Sequence, residues 1–373
     1  MSKTISIFKP VHTGVLNLKN RIVMAPMTRA RNADGIPNEN NALYYRQRAG
    51  AGLIVTEGVA ISDTAKGVLH IPGLYRPEQV AGWKLVTKAI HEEGTVIFAQ
   101  LWHVGRVSHT SIQPNGQAPV APSAIQAAHS HAWGWNEKGE EGFLICSEPR
   151  ALETAEVSDV VKDFQQAAIN AIEAGFDGVE LHGANGYLIE QFLNPYTNIR
   201  MDQYGGSIEN RSRFLLEAID ACIAAIGADK VAIRLTPYGG LHELPQYDEI
   251  EETYHYLATE LSKRNIAYVH LMDQQSRGSF AIPADFLGRF RKWFSGTMIL
   301  AGGMNREKAE ALITAGTVDL VAFGEVFISN PDLVERLENN WPLTPPNRAL
   351  HYGLTLEGYT DWKTYRESVP ENN

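Results

Sequence analysis

The sequence predicts an α/β protein built as a single (β/α)8 barrel of the TIM type. Eight short apolar runs recur along the 373 residues, most of them followed by a polar or glycine break and a longer helical pattern. Continuous apolar runs suit strands that are buried on both faces of a parallel sheet. A doubly wound open sheet is the alternative, but no Gly-x-Gly-x-x-Gly follows the first run.

The predicted elements alternate along the chain as strand and helix. Two amphipathic helices are predicted at residues 77–93 and 158–174, and a third begins after Asn305, which has a side chain suited to an N-cap. The predicted strands cover residues 22–27, 52–58, 95–102, 178–183, 230–235, 267–273, 297–303 and 320–324.

One connection is much longer than the others. Residues 103–155 separate the third strand from the next helix and contain Trp133, Trp135 and Phe143 within a polar run. A connection of this length in a compact domain usually carries function, so we expect a partial lid; an insertion that merely covers the barrel is the alternative. No linker is visible, so residues 1–373 are expected to form one domain, with residues 342–373 as a C-terminal extension ending in a short helix.

Composition limits the partners. A formal net charge of -10 argues against nucleic acid, and two cysteines provide neither a disulfide framework nor a Cys-rich metal cluster. The N-terminus lacks the apolar core of a signal peptide, and no apolar run reaches membrane-spanning length. The expectation is a cytoplasmic protein without a membrane partner, either a monomer or a homodimer.

Polar residues follow the predicted strands where a TIM barrel carries its active site. His182 and Asn185 lie three residues apart, so in a helical turn both could donate to one oxygen, as an oxyanion hole does. Tyr187 brings a phenol of pKa ~10 that could serve as an acid. Loop capping is the alternative for all three, and metal ligation is a further one for His182. The polar residues at the strand ends are Thr28, Glu57, Gln100, Trp102, His182, Arg234 and Asp273.

The glycines of the last two strands indicate a phosphate site. Gly302, Gly303 and Gly324 end the seventh and eighth strands, where bare backbone N–H groups can approach an anion; tight turning is the alternative. Arg234 ends a buried strand and therefore needs an internal ion pair or a ligand. Gln100 offers an amide suited to the edge of a flat heterocycle.

With these residues in view, the sequence resembles the Old Yellow Enzyme family of FMN-dependent ene-reductases over nearly its whole length, and is similar to bacterial N-ethylmaleimide and nitroester reductases within it. The segments that carry the resemblance are Met24–Arg29, Tyr44–Ala49, Gln100–Trp102, His182–Tyr187, Gln191–Pro195, Tyr204–Arg211 and Asn330–Leu333.

The resemblance implies tightly bound, non-covalent FMN, with NADPH or NADH as reductant. It implies a ping-pong reaction in which hydride passes from flavin N5 to an activated alkene, such as an unsaturated carbonyl, a maleimide or a nitroalkene. His182 and Asn185 would hold the substrate oxygen, and Tyr187 would donate the proton. The implied flavin contacts are Pro26, Met27, Thr28, Gly58, Gln100, Arg234, Gly302, Gly303, Gly324 and Glu325, and the implied pocket residues are Trp102, Val68 and Tyr352.

Two positions depart from the family pattern. Glu325 stands where the family usually has an arginine for the FMN phosphate, so either its carboxylate points away or another cation compensates. Val68 replaces a frequent tyrosine of the pocket. Two other functions stay open at this point, a flavin-free barrel isomerase or aldolase and a flavin-loaded sensing protein, which flavin absorption and NADPH oxidation would respectively distinguish.

Overall fold

A closed barrel of eight parallel strands forms the centre of the protein in this computed structural model, which describes residues 6–369. The predicted (β/α)8 barrel is therefore confirmed. The described range leaves out residues 1–5, on which the expected absence of a signal peptide depends. It also leaves out residues 370–373, the end of the predicted C-terminal extension. Barrel strands 1 to 8 are Ile22–Met24, Leu53–Ala60, Val96–Trp102, Gly178–Gly183, Val231–Leu235, Tyr268–Met272, Met298–Ala301 and Leu320–Phe323.

The strand ends differ from the predicted ones for local reasons. Strand 1 stops at Met24 instead of residue 27, because Pro26 has no N–H to continue the ladder. Strand 7 stops at Ala301, because Gly302 turns the chain with a φ of 116°. Strand 2 instead runs on to Ala60, with an irregular register that lets it pass Gly58 and keep pairing with strand 3.

Helices surround the barrel largely where periodicity predicts them. The helix predicted from residue 158 begins four residues earlier, at Thr154, because the Glu156 carboxylate accepts the Glu153 backbone N–H at 2.8 Å. Asn305 caps its helix as expected. The helices are Glu39–Gln47, Pro77–His91, Thr154–Glu173, Leu188–Leu193, Ile208–Ile226, Ile250–Arg264, Phe286–Trp293, Arg306–Thr314, Val326–Ser329, Leu333–Asn339 and Tyr365–Ser368. Within residues 6–369, none of them has the length and apolar character needed to span a bilayer.

The barrel is closed at its floor and open at its mouth. A larger apolar cluster fills the space between strands and helices, and a smaller one, with Phe98 and Tyr268, fills the barrel interior. The N-terminal hairpin of Val11–Thr13 and Leu16–Leu18 adds two leucines to the inner cluster from below. Ligands can therefore reach the interior only from the carboxyl ends of the strands.

A buried polar layer lies above the inner apolar cluster. Gln100 donates from Nε2 to Glu180 Oε1 at 2.8 Å, and His270 Nδ1 lies 2.9 Å from Glu180 Oε2. Burial alone would raise the pKa of the Glu180 carboxyl, but His270, Arg234 and Gln100 hold it below its usual value. The layer therefore keeps an anion inside the barrel, directly below the mouth.

The long insertion forms a hairpin, His131–Trp135 with Glu141–Ile145, and a two-residue pairing of Val120–Ala121 with Arg150–Ala151. The hairpin is held by backbone bonds to the loop after strand 2, since the Leu69 N–H donates to the Trp133 carbonyl at 3.0 Å. A role as a lid remains a prediction.

The C-terminal extension is tied to the end of strand 1 by two buried arginines. Arg29 donates to the Gly358 carbonyl at 2.7 Å, and Arg31 donates to the Leu350 carbonyl at 3.0 Å. Because Arg29 follows Thr28 directly, these bonds place the extension beside the mouth. Its last described element is the short helix that the sequence predicts, Tyr365–Ser368.

Candidate active site

Strands 4 and 5 bring the first two candidate residues together. His182 and Arg234 are register partners in the parallel pairing, and both are buried. His182 Nδ1 accepts the Ala184 N–H at 3.3 Å, so its proton lies on Nε2, which has no hydrogen-bond partner among residues 6–369. Burial, with the nearby Arg234, lowers the pKa of His182 well below its usual value. The imidazole is therefore a neutral donor.

Asn185 occupies a left-handed turn just beyond strand 4, with a φ of 58°. Its backbone N–H donates to Thr236 Oγ1 at 3.0 Å, and its side-chain Oδ1 accepts from Gln274 Nε2 at 3.0 Å. In the described part of the chain, its Nδ2 has no acceptor. The structure thus offers a second donor one turn from His182.

Tyr187 is held by three ring contacts. Its ring centroid lies 4.9 Å from Trp102, 4.9 Å from His182 and 5.1 Å from His242. Burial raises the pKa of its phenol above the usual value. The hydroxyl makes no hydrogen bond to any described residue, so a protonated phenol faces the mouth without a protein acceptor.

Gly58 and Trp102 depend on one another across strands 2 and 3. A Cβ at Gly58 would lie 2.5 Å from Trp102 Cε3, so only glycine permits this indole position. The Trp102 ring lies roughly parallel to His182 at 6.1 Å, and its buried Nε1 has no partner within residues 6–369. Trp102 therefore packs beside His182, and its contact with a ligand stays a prediction.

Arg234 has no ion pair within 4 Å in the described chain. Its Nη2 donates to Met272 Sδ at 3.2 Å, and its Nε is buried without a partner. Burial lowers the pKa of Arg234 to about 10, which leaves it charged at neutral pH. The internal ion pair left open by the sequence is not formed, and an unpaired buried cation fits an anionic or electron-rich ligand.

Gln100, near the end of strand 3, and Thr28, in the segment after strand 1, each have a free polar atom. Because Glu180 takes the Gln100 amide N–H, Gln100 Oε1 stays available as an acceptor. The half-buried Thr28 hydroxyl makes no hydrogen bond to residues 6–369. Acceptor, hydroxyl and guanidinium together suit the carbonyl and N–H edge of a flavin pyrimidine ring. Pro26 and Met27, also half-buried, continue the same segment.

The glycines that follow strands 7 and 8 are the candidate phosphate cradle. A Cβ at Gly302 would lie 2.2 Å from the Asp273 carbonyl, while the nearest atom to one at Gly324 is Met27 Sδ at 3.8 Å. Gly303 is exposed in a left-handed conformation with a φ of 53°. Lys308 places a cation beside these glycines, since its Nζ donates to the Gly302 carbonyl at 3.0 Å. This residue was not predicted from the sequence.

Glu325 is turned toward the C-terminal extension. Arg348 Nε donates to one of its carboxylate oxygens at 2.7 Å, and His351 Nε2 lies 3.8 Å from the same atom. The hydrogen bond with Arg348 lowers the pKa of Glu325 despite partial burial. Glu325 is thus paired with Arg348, and the position of its carboxylate relative to a bound phosphate stays a prediction.

Two predicted pocket residues lie farther out. Val68 pairs with Trp133 in an isolated bridge and lines a cavity of about 560 Å³ to which none of His182, Asn185 and Tyr187 contributes. Tyr352 is exposed, with its ring 6.1 Å from that of Trp133. Their contact with substrate stays a prediction.

Glu57 and Asp273 do not act as free groups at the strand ends. Glu57 lies inside strand 2, and its Oε2 accepts the backbone N–H groups of Arg29 at 2.9 Å and Ala30 at 3.1 Å. Its buried carboxylate therefore shapes the turn after strand 1. Asp273 Oδ1 accepts the Gln275 N–H at 3.0 Å in a local turn.

The residues that support Asn185 were not predicted from the sequence. Thr236 Oγ1, which receives the Asn185 N–H, donates to Glu190 Oε1 at 2.7 Å, and Glu190 Oε2 accepts the Gly186 N–H at 2.7 Å. Thr236 lies two residues after Arg234, a spacing that could have indicated it. Within residues 6–369, no group of three or more His, Cys, Asp or Glu residues is placed to hold a metal ion.

Known proteins resemble this chain over nearly its whole length. A profile of the NADH:flavin oxidoreductase / NADH oxidase family matches residues 6–344. A putative 12-oxophytodienoate reductase 11 of Oryza sativa subsp. japonica is 44% identical over 367 residues, 97% of this chain and 98% of the relative. The 12-oxophytodienoate reductase 2 of Arabidopsis thaliana is 39% identical over 371 residues, 98% of each chain.

Solved structures share the whole architecture. Morphinone reductase superposes with a TM-score of 0.95 at 44% identity and covers 100% of both chains. The structure of morphinone reductase in complex with tetrahydroNAD superposes with a TM-score of 0.93 at 46% identity and covers 96% of this chain and 98% of the morphinone reductase chain. An old yellow enzyme homologue from Zymomonas mobilis superposes with a TM-score of 0.91 at 37% identity and covers 96% of this chain and 99% of its own.

Fold and profile together define an FMN-dependent oxidoreductase of the NADH:flavin oxidoreductase type on a TIM barrel. More narrowly, the chain belongs to the Old Yellow Enzyme family and is an enzyme of that class. The unpaired Arg234 Nε and Trp102 Nε1 and the glycine cradle are compatible with FMN at the mouth.

Glu190 makes the stability of the turn at Asn185 depend on pH. Burial raises the pKa of its carboxyl from 4.5 to about 7. In that interval the folded state binds the proton that the unfolded chain has released, so the free energy of unfolding falls as pH rises, by at most on the order of 3 kcal/mol. Glu190→Gln cannot ionise. We expect its free energy of unfolding, relative to wild type, to rise from pH ~4.5 to ~7 and then level off.

Urea unfolding of both proteins across this pH range measures the difference. The glutamine variant loses one hydrogen-bond acceptor, which changes its free energy of unfolding by an amount that does not depend on pH. Only the slope of the difference between the two proteins against pH therefore reports the ionisation of Glu190. A difference between the two proteins that stays constant with pH would contradict the assignment.

Proposed function

We propose that the protein reduces activated C=C bonds of unsaturated carbonyls, maleimides and nitroalkenes with electrons from NADH or NADPH. The observation that carries the proposal is the presence, within six residues at the end of strand 4, of two donors and one acid without partners among residues 6–369, namely His182 Nε2, Asn185 Nδ2 and the Tyr187 hydroxyl. When bound, FMN supplies the redox chemistry by taking a hydride from the nicotinamide and passing it on to the β-carbon of the alkene.

The flavin-binding residues follow from their unsatisfied atoms. Arg234 would face the pyrimidine edge, where its charge stabilises electron density on the reduced ring. Gln100 Oε1 would accept the ring N–H, and the Thr28 hydroxyl would donate to a ring carbonyl. Glu180 accepts from Gln100 Nε2, so the Gln100 amide is oriented before the cofactor arrives.

The substrate oxygen would accept hydrogen bonds from His182 and Asn185. A carbonyl or nitro oxygen gains negative charge when hydride reaches the β-carbon, and two fixed donors stabilise that charge. His182 can fill this role as a neutral group, because its low pKa keeps Nδ1 free to accept the Ala184 N–H. Neither donor has to break a protein hydrogen bond first.

Tyr187 would complete the reaction by moving its hydroxyl proton to the α-carbon. Hydride and proton together convert the C=C bond into two C–H bonds, and the phenolate recovers its proton from solvent. The contacts with Trp102, His182 and His242 fix the ring, so the acid has a defined position. A raised pKa keeps the proton on the phenol until a strongly basic carbon forms.

The phosphate of FMN would lie on the cradle of Gly302, Gly303 and Gly324. Glu325 is neutralised by Arg348 and directed to the C-terminal extension, which reduces its repulsion of a phosphate. Lys308, whose ammonium group contacts the Gly302 carbonyl, supplies a positive charge to this loop.

The activity is tested by anaerobic NADH and NADPH oxidation with 2-cyclohexenone, N-ethylmaleimide or a nitroalkene. We expect oxidation that depends on the alkene and a saturated product. Flavin reduction by nicotinamide with no turnover of any alkene would contradict the proposal and favour the sensing protein instead.

Tyr187→Phe separates the two half-reactions. Because the phenol acts only on the alkene, we expect flavin reduction by nicotinamide to stay near the wild-type rate, while alkene reduction slows by ~10²-fold or more. Stopped-flow flavin absorbance follows both steps. Equal losses in the two steps would show that the phenol is not the proton donor.

Lys308→Met tests the compensating cation. Loss of the ammonium beside the glycine cradle should weaken FMN binding to the flavin-stripped protein by about tenfold, and added salt should reduce the difference. Lys84→Met removes the same charge from an exposed pair with Glu173 and is the control. Equal FMN affinities of the two variants would exclude Lys308 from the phosphate site.

A further inference from the structure

Gln274 follows strand 6 and is buried beside the mouth. Its side-chain Oε1 lies 3.0 Å from the backbone nitrogen of Gly240 and 3.3 Å from that of Leu241. Backbone N–H groups can only donate. The Gly240 N–H also has Ser279 Oγ as an acceptor at 3.1 Å, but within residues 6–369 the Leu241 N–H has Gln274 Oε1 alone, so an acceptor must face it. The orientation of the Gln274 amide is therefore fixed, with its Nε2 on the opposite side.

The fixed amide in turn orients Asn185. Gln274 Nε2 lies 3.0 Å from Asn185 Oδ1, and an amide NH2 group can only donate. The Asn185 atom that faces Gln274 must therefore be its oxygen. Its Nδ2 is left on the side away from Gln274, free to donate elsewhere.

The backbone of Asn185 has no freedom to compensate. Its N–H is held by Thr236 Oγ1 at 3.0 Å, and its carbonyl accepts from His242 Nδ1 at 2.7 Å. The residue is also confined to the left-handed region, with a φ of 58°. A rotation of the side-chain amide by half a turn is the remaining alternative, and the contact with Gln274 excludes it.

We propose that Gln274 is a positioning residue that forces Asn185 to present a hydrogen-bond donor to the substrate oxygen. This inference rests on the proposed function, since it concerns the same oxygen. It predicts that the site distinguishes ligands whose oxygen only accepts hydrogen bonds from ligands, such as a carboxamide, that both donate and accept. The His182–Asn185 pair alone does not explain this selectivity.

The selectivity depends on the chemistry of the ligand. Carbonyl, nitro and phenolate oxygens only accept hydrogen bonds, so a flipped Asn185 would direct a lone pair at them. The carboxamide of a nicotinamide has both a donor and an acceptor and can turn over to match either orientation. A flip should therefore weaken the first group of ligands and largely spare the second.

Gln274→Glu imposes the flip with almost no change in shape. One carboxylate oxygen can still accept from Gly240 and Leu241, but the other can only accept and therefore attracts Asn185 Nδ2. Gln275→Glu adds the same charge at the exposed neighbouring position and is the matched control. Both variants are studied as FMN-loaded enzyme, with flavin content and thermal unfolding as checks of folding.

Two ligands are compared on each variant. The dissociation constant of 4-hydroxybenzaldehyde is measured from the change in flavin absorbance, above the pKa of its phenol. The half-saturating NADH concentration is taken from anaerobic flavin reduction. Relative to Gln275→Glu, we expect Gln274→Glu to raise the dissociation constant by about thirtyfold or more and to shift the NADH value by less than about threefold.

Further variants make the result specific. Gln274→Leu releases the Asn185 amide instead of reversing it and should lose less affinity; it also carries the test if the glutamate variant does not hold FMN. In an Asn185→Ala background, Gln274→Glu should cause no further loss.

Three results would overturn the inference: phenol affinity equal to that of Gln275→Glu, parallel losses for phenol and NADH, or an undiminished effect in the Asn185→Ala background. Failure of the proposed function has a different signature. In that case, His182→Ala would bind the phenol as tightly as wild type whatever the result at Gln274.

Discussion

The parallel pairing of barrel strands 4 and 5 is the constraint on which the mouth depends. Its register sets His182 beside Arg234 and Glu180 beside Ala232. Because side chains alternate along a strand, a slip of one residue would turn His182 into the helix layer and remove the donor from the mouth. The closed barrel prevents such a slip, since every strand is bonded on both sides.

Above this register, the mouth keeps polar groups that the protein itself leaves unsatisfied. Arg234 Nε and Trp102 Nε1 are buried without partners in the described chain, although an unmade buried hydrogen bond costs about 1–3 kcal/mol. In the layer below, Glu180 accepts from both Gln100 and His270, while His270 Nε2 is itself buried without a partner in the described chain. Partnerless buried groups at the mouth are the arrangement expected where a ligand completes the bonding.

Much of this was predictable from the sequence. Apolar runs located all eight strands, and the position of His182, Asn185 and Tyr187 after strand 4 indicated which end of the barrel forms the mouth. Strand ends were less predictable, because they depend on single features such as Pro26. Glu57 is an example at another strand: it was predicted at the end of strand 2, but the strand continues past it to Ala60.

Contacts between distant segments could not be predicted from pattern. Gln274 meets Asn185 across 89 positions and Glu325 meets Arg348 across 23, and neither pair follows a periodicity. These are side-chain bonds between loops, whose relative positions are fixed only by the assembled barrel. The same loops determine which way an amide or a carboxylate faces, which is what the chemistry requires.

The most direct measurement is a crystal structure of the FMN-loaded protein with a bound phenol. The account predicts the flavin across the barrel mouth, with its pyrimidine edge at Arg234 and Gln100. It also predicts the phenol oxygen within hydrogen-bond distance of both His182 Nε2 and Asn185 Nδ2. A phenol bound over the flavin whose oxygen contacts neither residue would contradict the account.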